Sequence, residues 1–399
     1  MADRPTVYCG RYCFYKTILW TSSLLFLCFD SNGAAESFTR NVTAQLNPGS
    51  HGTTRGDLLH IRAVGGNDTL HFLFCSQGAP TLLLVHTNTS TSTVSVNWTQ
   101  FESLNASGSF KVEPENSVLY SCGLVFSRLL EYDDVNNTAQ VTPDLFPPYD
   151  LSNVSWSRIS LSDMTALLCG EINNGSLCVQ LSYFQTEGRG QNWPRLLHTA
   201  NTSQLAMWLD GVLPRAPRSR FLLELQAVGG QQPLSQVEVE RSIDDEFTPS
   251  IFKVAQWVSK EDKDVLGFVQ WKPVAYRHTS PALEDATPCR HSDPERQSAE
   301  AAESSSSLIQ AFYTENEATY GLNVSFGLAG DPFYNSTLYL SWTMLVGVGP
   351  PPSDGLSPLV LAIVAVGLGA PLVLLLVGGI SVCLRKKVTS SSTLYEPIN

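Results

Sequence analysis

The chain has 399 residues, of which 43% are hydrophobic and 16% are charged, and its formal net charge is −12. This length is enough for two or three domains, and the hydrophobic content is ordinary for a globular protein. The acidic balance argues against nucleic acid or an anionic lipid surface as a partner.

The first segment, residues 1–35, has the pattern of a secretory signal peptide. Basic residues precede an apolar run, Ile18–Phe29, and small residues follow it up to Ala35. An apolar core of this length with small residues behind it is typical of a cleaved signal. We therefore predict cleavage after Ala35, and an uncleaved anchor helix is the alternative.

Residues 36–355 consist of short runs that are typical of strands. Runs such as TLHFLF, TLLLVHT and SVLYSCGLVF are rich in Val, Leu and aromatic residues, and clusters of Gly, Asn and Ser separate them. Long amphipathic helical periods are scarce. The sequence predicts an all-β region with a β-sandwich-like architecture.

A stretch rich in Pro and Arg, Gly211–Arg220, interrupts these strand-like runs. It predicts a boundary between an N-terminal β domain, residues 36–210, and a C-terminal β domain, residues 211–355. Within the second domain, residues 281–307 are polar and low in aliphatic side chains. They are predicted to form a mobile loop.

The same region contains eleven Asn-X-Ser/Thr glycosylation sequons. Their density indicates passage through the secretory pathway, and attached glycans lie on the surface, where they shield the backbone from proteases. No sequon falls between Asn201 and Asn323, so Asp210–Tyr320 is the candidate for a glycan-free partner surface. The eleven asparagines are Asn41, Asn67, Asn88, Asn97, Asn105, Asn136, Asn153, Asn174, Asn201, Asn323 and Asn335.

Five cysteines lie between the predicted signal and the apolar segment near the C-terminus. The secretory compartments are oxidising and favour pairing. Cys169 and Cys178 flank a turn-like EINNGSL and are predicted to bridge a hairpin, and Cys75 and Cys122, both in apolar strand-like runs, are the second predicted pair. Cys289 is then left in a polar loop, either free or bonded to another chain.

No motif for a common catalytic or metal site occurs in this region. H-E-x-x-H, G-x-S-x-G and a Gly-rich phosphate loop are all missing. The acidic run Asp244–Glu246 could form a calcium site or an acid–base pair, but its spacing fits no calcium loop, and a solvated turn is the alternative. His60, His71 and His86 lie in strand-like segments and are predicted to be structural. We predict no catalytic residue, no metal and no cofactor.

The segment Leu356–Leu384 carries no charge over its length and is long enough to cross a bilayer. Within lipid its backbone amides must bond internally, so it is predicted to be a helix. Arg385–Lys387 follow at once, and positive residues stay on the cytosolic side. The sequence predicts a single-pass type I membrane protein with residues 36–355 in a lumen and residues 385–399 in the cytosol.

Two features of this span are open to more than one interpretation. Ala365 and Gly369 would form a small face that lets another helix approach closely, and Pro371 would kink the helix. A lone anchor without a specific helix partner is the alternative. Cys383 could carry a palmitoyl group or be a buried apolar residue.

The chain ends with Tyr395-Glu396-Pro397-Ile398, a tyrosine followed by two residues and a large aliphatic residue. Such a segment binds in extended form along a strand edge of a cytosolic sorting adaptor, and the tyrosine and the aliphatic residue fill two pockets. Pro397 favours the extended backbone. Tyr395 and Ile398 therefore predict sorting to lysosomes.

Several sequence blocks together resemble the glycosylated lysosomal membrane protein family. The resemblance extends over nearly all of the predicted mature chain and includes the tyrosine-based tail. The blocks are LLHIRAVG (Leu58–Gly65), SVNW (Ser95–Trp98), LVFSRLLE (Leu124–Glu131), RLLHTA (Arg195–Ala200), SIDDEF (Ser242–Phe247), QWKPVAY (Gln270–Tyr276) and DGLSPLVL (Asp354–Leu361).

The resemblance implies a non-enzymatic accessory subunit of the lysosomal membrane. Members of the family associate with a multi-span dipeptide transporter of the major facilitator superfamily, keep it in lysosomes and protect it from proteolysis. The resemblance gives no partner-binding residues and leaves the oligomeric state open. A membrane-anchored lysosomal hydrolase and a cell-surface receptor or adhesion protein that recycles through endosomes are the competing hypotheses.

Overall fold

The computed structural model describes residues 38–103, 105–142, 144–230, 232–241, 253–314, 317–353 and 362–389. The predicted signal peptide, the acidic run at residues 244–246 and the sorting motif at residues 395–398 lie outside the described residues.

Strands make up most of the described region. Those before Gly211 are β1 (Asn41–Leu46), β2 (Leu58–Val64), β3 (Thr69–Cys75), β4 (Thr81–Thr87), β5 (Thr93–Val96), β6 (Phe110–Glu113), β7 (Val118–Asp133), β8 (Tyr149–Asp150), β9 (Ser160–Ser162), β10 (Thr165–Ile172), β11 (Gly175–Tyr183), β12 (Gly188–Arg189), β13 (Leu197–His198) and β14 (Thr202–Asp210). Those after it are β15 (Ser219–Gly229), β16 (Gln236–Arg241), β17 (Lys253–Glu261), β18 (Asp264–Trp271), β19 (Val274–Tyr276), β20 (Ala286–His291), β21 (Glu295–Gln297), β22 (Ala318–Phe326) and β23 (Tyr339–Val348).

Most of these strands form two large antiparallel sheets, and β5 with β6 and β12 with β13 form two separate two-stranded sheets. The first sheet has the order β1-β2-β3-β4-β7-β15-β22. The second sheet has the order β9-β10-β11-β14-β23-β18-β17-β16. Strand β20 connects the sheets, because it pairs with β22 of the first and with β19, which lies beside β23 of the second.

The inner faces of the two sheets pack against each other. Trp342 on β23 contacts Phe326 on β22, with ring centroids 6.3 Å apart. Gly267 on β18 leaves room for Tyr120 of β7, because a Cβ at this glycine would lie 2.3 Å from the tyrosine ring. One hydrophobic core therefore includes residues of both sheets, and the predicted all-β, sandwich-like fold is confirmed.

The strand pairing does not follow the predicted domain boundary at Gly211. Strand β15, which comes after the boundary, pairs along its length with β7, which comes before it. Strand β14 likewise pairs with β23 from Thr202 to Asp210. Each sheet thus contains strands from both halves of the sequence, because long-range hydrogen bonding, which the local Pro and Arg signal does not report, decides which strands are neighbours.

Among the described residues, three short α-helices lie outside the sheets: α1 (Trp98–Phe101), α2 (Ala299–Ser305) and α3 (Ser307–Phe312). Helix α3 packs on the outer face of the first sheet above Gly123, where a Cβ would lie 2.2 Å from Cδ1 of Ile309. The prediction of a mobile loop at residues 281–307 is wrong, because this segment contains β20, β21 and α2. Its polar residues serve as anchors: Thr81 Oγ1 donates to Ser306 Oγ at 2.7 Å.

The apolar segment near the C-terminus is a helix over Ala362–Arg385, long and apolar enough to cross a membrane. A π-helical turn, Ala365–Gly369, precedes the regular helix α4 (Ala370–Thr389). The turn lies immediately before Pro371, whose ring would clash with the carbonyl four residues earlier in a regular helix. A π turn, with i→i+5 instead of i→i+4 hydrogen bonds, avoids this clash. Ala365 and Gly369 are therefore separated by a π turn instead of a regular helical turn.

Candidate functional site

No predicted site residue belongs to a metal centre in the part of the chain that the structure describes, where no group of three His, Cys, Asp or Glu side chains is placed to hold an ion. His60 Nε2 lies 2.9 Å from His71 Nδ1 on the outer face of the first sheet. His71 Nε2 lies 2.8 Å from Ser92 Oγ. Burial lowers the pKa of His60 to about 4 and that of His71 to about 3, with the Arg62 charge contributing to both. The pair is therefore a neutral hydrogen-bonded cluster.

His86 belongs to a second polar cluster, at the start of the described region. Its Nε2 lies 2.9 Å from Asp68 Oδ2, and Arg40 donates to both oxygens of Asp68 at 3.0 and 2.6 Å. Burial by itself would raise the pKa of Asp68, but the hydrogen bonds and the charge of Arg40 outweigh it and lower the pKa. Arg40 Nε also donates to Asn201 Oδ1 at 2.8 Å. The cluster ties the start of β1 to the turn before β14.

The structure contains the predicted bridge between Cys169 and Cys178, which are directly opposite each other on β10 and β11. The second predicted pair is wrong in this structure, because Cys75 and Cys122 are free, buried thiols. The register places Cys75 level with Thr81 and Val125, so Cys75 and Cys122 point to opposite faces of the first sheet. Cys289 is also buried, within β20 instead of a polar loop.

The sequon asparagines lie mostly at the surface. Nine of the eleven are exposed, and the exceptions, Asn201 and Asn323, are half-buried. In the glycan-free stretch Asp210–Tyr320, β15 is buried throughout. The exposed residues of the glycan-free stretch include most of β16 and the turn Glu261–Asp264. The glycan-free surface therefore includes the β16–β18 edge of the second sheet, together with the mostly exposed segments 278–284 and 292–296.

The outer face of the second sheet also carries a cleft of about 480 Å³ that the sequence did not predict. We call it the aromatic cleft. Its floor includes Trp208 on β14, flanked in register by Cys178 of the disulfide and by Ser341. Beside Trp208, the small residue Ala206 lies between Gln180 and Thr343. A small side chain among larger neighbours produces the depression.

Two loops form the walls of the aromatic cleft. Trp193 belongs to the loop between β12 and β13, and Thr343 Oγ1 donates to its carbonyl at 3.4 Å. Tyr276, at the end of β19, lines the cleft next to Trp193 and lies opposite Ser341 in the strand register. The Trp193 and Tyr276 ring centroids are 6.4 Å apart. Burial raises the pKa of Tyr276 to about 12, so its hydroxyl keeps its proton.

Sequence reasoning missed this cleft because its residues are far apart in the chain. Gln180, Trp193, Trp208, Tyr276 and Tyr339 come from five separate segments. Each is unremarkable in a strand or loop on its own. Only a correct prediction of the strand order β11-β14-β23 would have brought them together.

The β-sandwich with exposed sequons and one apolar helix after it defines a class, a glycosylated single-pass membrane protein with a lumenal β domain. Residues 57–389 match the family model described as glycosylated lysosomal membrane protein. A relative with that name from Danio rerio is 50% identical over 387 residues, covering 92% of this chain and 94% of the relative. The relative from Bos taurus is 41% identical, covering 86% of this chain and 87% of the relative. The relative from Homo sapiens is 39% identical, covering 96% of this chain and 95% of the relative.

The chain belongs to the glycosylated lysosomal membrane protein family. This membership confirms the resemblance and the predicted localisation at the lysosomal membrane. Within the described residues one helix is long and apolar enough to cross a membrane, and its place after the β-sandwich in the chain is consistent with the predicted type I topology.

Proposed function

We propose that this protein is a non-enzymatic accessory subunit that binds a multi-span lysosomal transporter. It supports the lysosomal localisation of the transporter and protects it from lysosomal proteases. The transporter class is the one that the family resemblance implies, a dipeptide transporter of the major facilitator superfamily.

The observation that carries the proposal is the uneven distribution of sequons. Exposed sequons cover loops and strand ends over much of the β-sandwich, whereas Asp210–Tyr320 contains none and is exposed at the β16–β18 edge. Glycans are bulky, so a surface without them is where a large partner can approach. The glycosylated remainder then faces the proteases of the lumen.

The membrane helix offers a second contact. Among the described residues, a Cβ added at Gly367 or Gly369 would meet no atom within 4 Å beyond the nearby backbone of its own helix, so both glycines leave room for another helix. Small residues allow close helix approach in lipid, and partner groups can satisfy carbonyls that are freed near Pro371.

A glycan placed on the proposed surface tests the partner contact. In the exposed turn after β17, Asp262→Asn together with Asp264→Thr creates a sequon, and Asn tolerates the positive φ of 54° at position 262. We expect the double variant to reach lysosomes but to lose the transporter in affinity capture with a mild detergent. The matched control is Asp163→Asn, which creates a sequon with Thr165 at another exposed turn with positive φ, 36°. The control is expected to retain the transporter.

The protective role is tested by measuring the half-life of the captured transporter in cells that lack this chain. We expect a shorter half-life, which the wild type restores and the Asp262/Asp264 double variant does not. Capture of no transporter, together with turnover of a lysosomal substrate by the purified protein, would instead establish the hydrolase hypothesis.

The tail separates the receptor hypothesis from lysosomal residence. Tyr395→Ala removes the tyrosine of the predicted sorting motif, and we expect this variant to accumulate at the plasma membrane. An unchanged lysosomal distribution would show that sorting depends on another determinant.

A further inference from the structure

The aromatic cleft is not accounted for by transporter binding, and its lining restricts the chemistry of a ligand. None of the described residues that line it is Asp, Glu, Lys or Arg, and His278 at its rim is the one imidazole among them. Apart from His278, the lining offers no charged partner that would offset the lost hydration of a phosphate, an acidic peptide or a basic peptide. The occupant that fits is electrically neutral.

The side chains combine planar apolar surfaces with amide groups. Trp208 on the floor and Trp193 in the wall offer aromatic rings, and Gln180 and Asn192 offer amides. An amide both donates and accepts hydrogen bonds, as do the hydroxyls of a sugar. A pyranose ring has one face of C–H groups that packs on an aromatic ring, and its hydroxyls lie around the edge, so the cleft matches a neutral sugar on both counts.

Tyr276 adds a polar group that lacks a partner. Its side chain is 3% exposed, and its hydroxyl has no hydrogen-bond partner among the described residues. A buried hydroxyl without a partner costs on the order of 1–3 kcal/mol. The hydroxyl is closed to solvent, so a ligand hydroxyl supplies the missing bond when the wall opens around Tyr276.

The floor is unsuited to an extended peptide that adds a strand. Strand β14 is paired on both sides, with β11 and β23, and β23 is paired on both sides, with β14 and with β18 or β19. No backbone edge is open at the floor, so recognition has to come from side chains. The disulfide beside Trp208 joins β10 to β11 and stiffens this platform.

We propose that the aromatic cleft binds a neutral oligosaccharide. One pyranose stacks on Trp208, Gln180 and Asn192 hydrogen-bond its hydroxyls, and Tyr276 bonds a hydroxyl at the wall. The cleft volume of about 480 Å³ lies within the range of small-molecule sites. The sugar is either free in the lumen or part of an N-glycan on another glycoprotein, and this proposal does not depend on the transporter partnership.

The test uses the full chain in detergent, with its own N-glycans trimmed to a single residue so that they do not compete. The probes are an array of neutral oligosaccharides, sialylated and sulfated counterparts, the same neutral glycans on glycopeptides, and uncharged proline-rich peptides. We expect binding of at least one neutral oligosaccharide and no gain in affinity from added negative charge. Comparison of the free glycan with its glycopeptide distinguishes the two sources.

Two variants connect binding to the cleft. Trp208→Ala removes the stacking surface and is expected to weaken binding by at least about tenfold. Tyr276→Phe removes only the hydroxyl and is expected to weaken binding by about threefold to tenfold without lowering the thermal unfolding midpoint. Tyr120→Phe is the matched control, because it removes a hydroxyl from a different cleft, beside β7 and β18, and is expected to bind like the wild type.

Three results would overturn the proposal. The first is no neutral oligosaccharide binding at millimolar concentrations. The second is binding that both Trp208→Ala and Tyr276→Phe leave unchanged. The third is binding of the proline-rich peptides alone, which would identify the cleft as a peptide groove.

Discussion

The two sheets of the β-sandwich differ in how they are covered. In the first sheet, β3 and β15 are buried at every residue, because the inner face packs on the second sheet and α3 covers part of the outer face. In the second sheet, β10 alternates between buried and more accessible residues, since its outer face meets solvent, although the central strand β14 is buried at seven of its nine residues. A sheet covered on both faces supplies stability, whereas an open face can offer a binding site.

The largest expected effect comes from placing a charge on the outward-facing side of each sheet. Val85 is fully buried on the outer face of the first sheet, whereas Leu167 is half-buried on that of the second. We expect Val85→Asp to lower the free energy of unfolding by about 5 kcal/mol, because an unpaired carboxylate is buried, and Leu167→Asp by about 1 kcal/mol. Urea unfolding of the full chain in detergent measures both.

Equal effects of these two substitutions would contradict the difference between the sheets. A tolerated Val85→Asp would mean that the outer layer of the first sheet opens readily to water.

The cysteines provide the next comparison. The Cys169–Cys178 bridge lies on the open outer face of the second sheet and closes a short loop, so Cys169→Ala is expected to cost about 2–3 kcal/mol. Burial raises the pKa of the Cys75 and Cys122 thiols to about 12, and thiols without a thiolate fraction react slowly. Mass spectrometry after alkylation is expected to label Cys75 and Cys122 only in denatured protein.

A native disulfide between Cys75 and Cys122 in the mass map would contradict the strand register of the first sheet. Rapid alkylation of either thiol before denaturation would contradict its burial.

The His60–His71 pair makes the stability of the covered sheet depend on pH. Both folded pKa values lie below the ordinary value of 6.5, at about 4 for His60 and about 3 for His71. Between each folded pKa and pH 6.5, the unfolded chain therefore binds more protons than the folded chain does. Stability is therefore full above about pH 6.5 and falls as the pH decreases towards 4. The loss between pH 7 and pH 5 is about 2 kcal/mol for each histidine.

Removing one histidine of the pair isolates this effect. We expect His71→Asn to reduce the difference in unfolding free energy between pH 7 and pH 5 by about 2 kcal/mol. His278→Asn, at an exposed position that lines the aromatic cleft, is the control, because it makes the same substitution outside the first sheet. An unaltered pH dependence in His71→Asn would show that other groups dominate it.

The smallest expected effect concerns the half-buried sequon Asn201 and the exposed sequon Asn136. Asn201→Gln moves the amide away from Arg40 Nε, its partner at 2.8 Å, and is expected to cost about 1 kcal/mol. Asn136→Gln is expected to cost less than about 0.5 kcal/mol. Ser203→Ala removes the same sequon but keeps Asn201, so a loss equal to that of Asn201→Gln would assign the effect to the glycan instead of the hydrogen bond.

The sequence predicted the strands well where the pattern was local. Runs such as those of β3 and β4 are apolar at most positions, and the EINNGSL turn predicted the hairpin that the Cys169–Cys178 bridge joins. It failed where burial depended on distant partners. Residues 281–307 read as a loop because they are polar and Ser-rich. They become ordered structure because β20 and β21 pair with β22 and because Ser306 bonds to Thr81.

By itself the sequence determined the elements that depend on local composition. These are the strand-rich region, the Cys169–Cys178 hairpin, the sequons and the membrane-spanning helix, since periodicity, turn residues and a long uncharged run act over neighbouring residues. The tertiary structure alone decided the exchange of strands across Gly211, the separation of Cys75 from Cys122 and the assembly of the aromatic cleft. Each of these depends on which strands are hydrogen-bonded neighbours and which face each side chain joins, and residues far apart in the chain settle both.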